Sequence, residues 1–123
     1  MTDTPSTPKP RGPYSPIVRA GDWLVTAGQL GIKDGALVDG GIVEQTRQAL
    51  DNIRVLLESE GASMTNVVKT TVLLANIDDW ATMNEPYLEA FGDHRPARTA
   101  YAAGGLPAGG LIEIEAWAYV GEE

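Results

Sequence analysis

The chain has 123 residues, 43% of them hydrophobic and 21% charged, figures that suit one domain built round one apolar core. A net charge of −8 with no basic run disfavours nucleic acid as a partner, and the lack of any long apolar run excludes a membrane-spanning helix. With no cysteine, disulfides, thiolate metal sites and cysteine nucleophiles are excluded and a reducing cytoplasm is the default location, while the single histidine, His94, argues against a His-rich metal site or a histidine-based triad.

Residues 1–11 carry Pro5, Pro8 and Pro10 and no apolar stretch, so they read as a flexible tail ahead of a single domain over 12–123. Gly12-Pro13-Tyr14-Ser15-Pro16 is a turn-rich opening segment. Trp23 to Gln29 reads as a strand, followed by a glycine-rich turn region through Gly41. Ile42 to Glu60 is the clearest helix. Ile42, Thr46, Ala49, Leu50, Ile53, Leu56 and Leu57 recur at spacings of three and four, and Gly61 supplies a natural stop. Val67 to Leu74 is β-branched and apolar, a central strand. Asp78 or Asp79 can cap a second helix from Trp80 to about Phe91, in which Pro86 predicts an early break or a kinked first turn. Thr99 to Ala102 and Leu111 to Val120 complete the set of strands. His94 reads as an exposed loop residue, and Trp23, Trp80 and Trp117 as packing anchors. The glycines flanking Leu106-Pro107 suggest a loop that is either a cleft lid or an ordinary connection.

This order predicts an α+β fold, a mixed sheet with two helices on one face and a parallel strand pair bridged by the first helix. In the last strand, Ile112, Ile114, Ala116, Ala118 and Val120 alternate with Leu111, Glu113, Glu115, Trp117 and Tyr119. The first set suits burial beneath helices. The second is too apolar for open water and too charged for a dry core, so it predicts contact with another subunit.

Two segments carry residues suited to chemistry, Arg95-Pro96-Ala97-Arg98-Thr99 and Leu111-Ile112-Glu113-Ile114-Glu115. Arginine presents a planar fork of donors that matches a carboxylate, so Arg98 suits the anchoring of an organic acid. A nearby glutamate can take a proton from water and activate it. Glu113 and Glu115 share one face, so either could serve, and a structural salt bridge between Arg98 and Glu113 is the alternative that spacing alone leaves open.

Several stretches, taken together and in order, resemble the RidA/YjgF family. They are Gly12-Pro13-Tyr14-Ser15, Thr26-Ala27-Gly28-Gln29, Glu44 to Ile53, Val68 to Val72, Met83-Asn84-Glu85-Pro86-Tyr87, Arg95 to Thr99, and Leu106-Pro107 followed by Ile112-Glu113-Ile114-Glu115. The resemblance implies a chorismate-mutase-like fold, a barrel-like homotrimer and active sites in the clefts between subunits. It also implies a 2-iminobutanoate/2-iminopropanoate deaminase, which hydrolyses 2-aminoacrylate-type intermediates to 2-oxo acids and ammonia without a metal or other cofactor. By position, Arg98 matches the arginine that binds the substrate carboxylate, and Glu113 the glutamate that positions or activates water. Tyr14 matches a cleft tyrosine, with simple packing against Pro13 as its alternative. Asn84 matches a cleft asparagine or else caps a turn, and Gly28 either brings a backbone N–H to the ligand or marks a bulge. Two departures stand out. The family often has serine where this chain has Ala27, and cysteine where it has Ala100, so substrate preference is the property they put in question. The same resemblance leaves a rival of another class, a non-catalytic protein that senses a 2-oxo acid or similar carboxylate. An endoribonuclease activity has been attached to parts of the family, and the charge of −8 argues against it here.

Overall fold

In the computed structural model, which describes residues 7–122, a six-stranded mixed sheet carries two helices on one face. The strands are β1 (Ile17–Ala20), β2 (Trp23–Thr26), β3 (Gln29–Leu30), β4 (Ile32–Lys33), β5 (Ala36–Leu37), β6 (Val67–Leu74), β7 (Ala97–Ala102) and β8 (Ile112–Tyr119). The helices are α1 (Gly41–Ser59) and α2 (Trp80–Phe91). The sheet runs β1-β2-β8-β6-β7, β3 also pairs with β8, and β4–β5 form a separate hairpin. Of the predicted tail, residues 1–6 lie outside the described residues, and 7–11 enter no helix or strand.

The helical stripe is buried as its periodicity requires. Thr46, Ala49, Leu50, Ile53, Leu56 and Leu57 are each 1% exposed or less. Gly61, at φ +80°, stops α1, and the Ala62 N–H turns back to the Leu57 carbonyl. From the sheet, Leu24, Val72, Leu74, Ile112, Ile114, Ala116 and Ala118 meet this stripe together with Met83 of α2. The alternation predicted for the last strand therefore holds, and burying each such leucine or isoleucine stabilises the fold by about 1.5–3 kcal/mol. In β6 a bulge at Val68 keeps both Val67 and the Thr70, Val72, Leu74 series on the buried face.

Several expectations need correction. The parallel pair is β6–β7, and the helix that bridges it is α2, not α1. β2 does run in the same direction as β6, but β8 lies between them and pairs antiparallel with both. Residues 17–20, not predicted as a strand, form β1, a two-residue hairpin onto β2. The glycine-rich region contains the β4–β5 hairpin, whose Asp34-Gly35 turn takes positive φ at both positions. The predicted strand over Trp23–Gln29 is split. Val25 pairs with Trp117 and Gln29 with Ile114, so this side carries one extra residue, a bulge at Ala27-Gly28. Pro86 neither breaks nor ends α2. Asp79 occupies the N-cap position of α2 but makes no side-chain capping bond; the side-chain cap lies on the preceding short turn, where Asn76 accepts the Asp78 N–H at 2.9 Å. His94 is half-buried, its Nε2 2.6 Å from the Val67 carbonyl oxygen, and so ties the α2–β7 connection to the start of β6.

Candidate active site

The parallel pairing of β7 with β6 puts Arg98 opposite Thr70, which is fully buried beneath the helices. Arg98 therefore leans over the helix face, at the open edge of the sheet. There Trp80, Asn84 and Tyr87, spaced i, i+4 and i+7, form one stripe of α2. The Arg98 guanidinium carbon lies 4.8 Å from the Tyr87 ring centre and 5.4 Å from that of Trp80. Arg98 Nη1 donates to Asn84 Oδ1 at 2.8 Å. Tyr87 is itself fixed, its hydroxyl 2.7 Å from the Thr70 hydroxyl. Burial raises the Tyr87 pKa, while the Thr70 hydrogen bond and the Arg98 charge act the other way, so the phenol stays neutral. Among the described residues Arg98 enters no ion pair. The guanidinium is thus held by two rings, one amide and the Met83 sulfur, 3.7 Å from Nη1, and keeps donors for an anion. Ala100, two residues on and half-buried, lines the same face of β7 against the edge of the core.

Glu113 stands elsewhere. Its neighbours Ile112 and Ile114 are fully buried beneath the helices, so its side chain rises from the opposite face of the sheet. There Gly28, Thr71, Leu73, Glu113 and Glu115 line a hollow of about 130 Å³. A Cβ at Gly28 would lie 2.9 Å from the Glu113 carboxyl carbon, so glycine at the bulge is what lets the carboxyl fit against the backbone. Of the two readings of Gly28, the bulge is the one the strand register shows. Partial burial, then the nearby Glu115 charge, raises the pKa of Glu113. Tyr14 is exposed, and its hydroxyl accepts the Arg11 N–H at 3.0 Å. It belongs to the Gly28 end of the sheet, because the Pro16 carbonyl accepts the N–H of Ala27.

The predicted residues thus fall into two groups. Arg98, Asn84 and Ala100 lie together on the helix face, whereas Glu113 and Gly28 lie together on the bare face, and Tyr14 lies two residues before Pro16, whose carbonyl holds the Ala27 N–H. Arg98 and Glu113 are offset by three residues along β6 and by two strand spacings, roughly 14 Å between Cα atoms, and they point to opposite sides. One chain forms no salt bridge between them and cannot offer both to one small molecule. Trp80 and Tyr87 were missed as site residues. Trp80, a packing anchor by sequence, is 41% exposed and covers Arg98. Its i, i+4, i+7 relation to Asn84 and Tyr87 was the available signal.

Fold and site together define an α+β protein of one mixed sheet, with an arginine at the helix-covered edge and a partly buried carboxylate on the bare face. A family model described as Endoribonuclease L-PSP matches residues 4–120. The chain is 50% identical over 118 residues to a RutC family protein of Pyrococcus horikoshii, covering 94% of each. It is 46% identical over 123 residues to the 2-iminobutanoate/2-iminopropanoate deaminase of Bos taurus, covering 98% of this chain and 90% of that one. The crystal structure of RidA from an Antarctic Psychrobacter superposes with a TM-score of 0.88 at 34% identity, covering 98% and 97%. The chain belongs to the Endoribonuclease L-PSP family, which is the RidA/YjgF family.

Proposed function

We propose that this protein is a cofactor-independent imine deaminase, hydrolysing 2-iminobutanoate, 2-iminopropanoate and its enamine 2-aminoacrylate in clefts between the subunits of a homotrimer. The observation that carries the proposal is the division of the site. Arg98, stacked and hydrogen-bonded yet without a carboxylate partner among the described residues, lies on one face. Glu113, with its raised pKa, lies on the other. Bringing an anchor and a base to one molecule then takes two chains, and the amphipathic sheet face carrying Glu113, Glu115 and Trp117 suits such a contact. The deaminase name of the mammalian relatives supports the chemistry.

In this mechanism the substrate carboxylate docks on the Arg98 fork of one chain, while Tyr14 and the Gly28 backbone border the Glu113 side of the cleft. Glu113, a stronger base than a solvated carboxylate, takes a proton from water as the water oxygen bonds to the imine carbon. The C=N electron pair moves to nitrogen, which takes that proton back from Glu113 to give the carbinolamine. Glu113 then removes the hydroxyl proton and passes it to nitrogen as the C–N bond breaks, so that ammonia leaves and the carbonyl of the 2-oxo acid forms. Water and imino acid are consumed, and 2-oxo acid and ammonia are released.

The test generates 2-aminoacrylate from serine with a dehydratase and follows pyruvate. Acceleration by this protein is the expected result. No acceleration, under conditions where an active relative accelerates release, would exclude the deaminase. One observation favours a second reading, a 2-oxo acid sensor: Ala27 and Ala100 bring neither hydroxyl nor thiol to the site. Tight 2-oxo acid binding without turnover would identify it.

A further inference from the structure

The hollow that holds Glu113 is built on thin support. β3, which borders it, is two residues long, and a strand that short fixes little by its own ladder. Two amides of α1 supply what it lacks. Gln45 and Asn52 lie seven residues apart on one face of the helix and are only 6% and 8% exposed. Asn52 Nδ2 donates to the carbonyls of Leu30 at 3.2 Å and Ile32 at 3.0 Å, and its Oδ1 accepts from Gln48 Nε2 at 2.9 Å. Gln45 Oε1 accepts the N–H of Leu111 at 2.9 Å. Between the two held carbonyls the backbone passes flush against the helix, where a Cβ on Gly31 would come within 2.5 Å of the Gln45 Cα.

These bonds converge on one carboxylate. Leu30 is the residue paired with Glu113 across the β3–β8 ladder, and Leu111 lies two residues before Glu113 on the same chain. Gly28, which abuts the Glu113 carboxyl, lies two residues before Leu30. The helix therefore grips both sides of the hollow from beneath the sheet without touching it. We infer that Asn52 and Gln45 are positioning residues for Glu113, fixing the carboxyl against Gly28 where water is to be activated. This deepens the proposed imine hydrolysis and rests on it. A displacement of about an ångström at a catalytic group costs roughly 10²-fold in rate, so the grip matters to turnover more than to capture of the substrate, which falls to Arg98 on the other face.

The test compares near-isosteric variants in the full-length protein. Asn52→Leu removes both donors. Gln45→Met removes the acceptor, whereas Gln45→Glu keeps an oxygen for the Leu111 N–H. Thr46→Val is the control, since the equally buried Thr46 hydroxyl bonds only the Ile42 carbonyl of its own helix. Two readouts are taken, kcat and KM on 2-iminopropanoate generated in situ, and the carboxyl titration of Glu113 followed by carbon NMR, with Glu115 as the neighbouring titrating group. Asn52→Leu and Gln45→Met are expected to lower kcat about tenfold or more with KM within about twofold, and to move the Glu113 titration, while Gln45→Glu restores most of the rate. Thr46→Val is expected to change neither. Equal effects from Thr46→Val, or an unmoved titration in folded Asn52→Leu and Gln45→Met, would overturn the inference. If those two variants do not fold, the wild-type protein decides. Asn52 side-chain and Leu111 backbone amide protons that exchange at the rate of solvated amides would overturn it, and protected ones support it. Absent turnover in wild type would refute the hydrolase reading, while the titration still reports on the grip.

Discussion

Arg98→Met tests the anchor most directly. Methionine keeps most of the length and apolar bulk of arginine but offers no donors. Two charge-assisted hydrogen bonds to a substrate carboxylate, at about 1.5–3 kcal/mol each, total about 3–6 kcal/mol. At about 1.4 kcal/mol per tenfold, kcat/KM should fall by about 10²–10⁴. The fold should survive, because Arg98 enters no ion pair among the described residues, and the Tyr87–Thr70 hydrogen bond beneath it does not depend on the guanidinium. Arg98→Lys keeps the charge but loses the planar fork and its fit between the Trp80 and Tyr87 rings, so an intermediate loss of about 10–10² is expected. The assay follows pyruvate from dehydratase-generated 2-aminoacrylate, with the uncatalysed rate subtracted and folding checked by circular dichroism. A folded Arg98→Met protein within about twofold of wild type would refute the anchor.

Three further outcomes follow from the geometry. Because Arg98 and Glu113 stand on opposite faces, refolding Arg98→Ala together with Glu113→Gln should restore activity that neither has alone, about a quarter of wild type for random mixing of chains; a mixture as inactive as its components would place both halves of the site in one chain. Glu113→Gln should also be more stable than wild type at neutral pH, with the advantage gone in acid. The raised carboxyl pKa means that stability is fully present below the unfolded-state pKa and lost as pH rises through the folded-state one, a dependence the amide lacks; urea melts showing the same stability difference at pH 4 and pH 7.5 would contradict this. Finally, Leu74→Ala, at a fully buried position between sheet and helices, should cost about 2–5 kcal/mol in urea unfolding, and a cost below about 1 kcal/mol would show that the core is elsewhere.

Much of the fold was legible in the chain because its main signals are local. The stripe from Thr46 to Leu57 has helical period, β8 alternates with period two, and both end on the residues that periodicity predicts to within one or two positions. What the sequence could not decide was long-range pairing. The insertion of β8 between β2 and β6 is set by contacts between residues some ninety positions apart, such as the Ala116 N–H on the Thr26 hydroxyl, and no short window carries that information. For the same reason α2, rather than α1, closes the parallel pair. Pro86 warns of a kink by itself, yet buried side chains on either side of it, Met83 and Tyr87, hold α2 in one piece. The candidate site divides in the same way. Residue type and the ordered family segments singled out Arg98, Glu113, Gly28 and Asn84 from the sequence by itself. Only the tertiary structure decided that Arg98 and Asn84 share one face of the sheet, that Gly28 and Glu113 share the other, and that Trp80 stacks on the guanidinium. The face on which a strand residue stands is fixed by strand register, and register by the core that the whole chain builds.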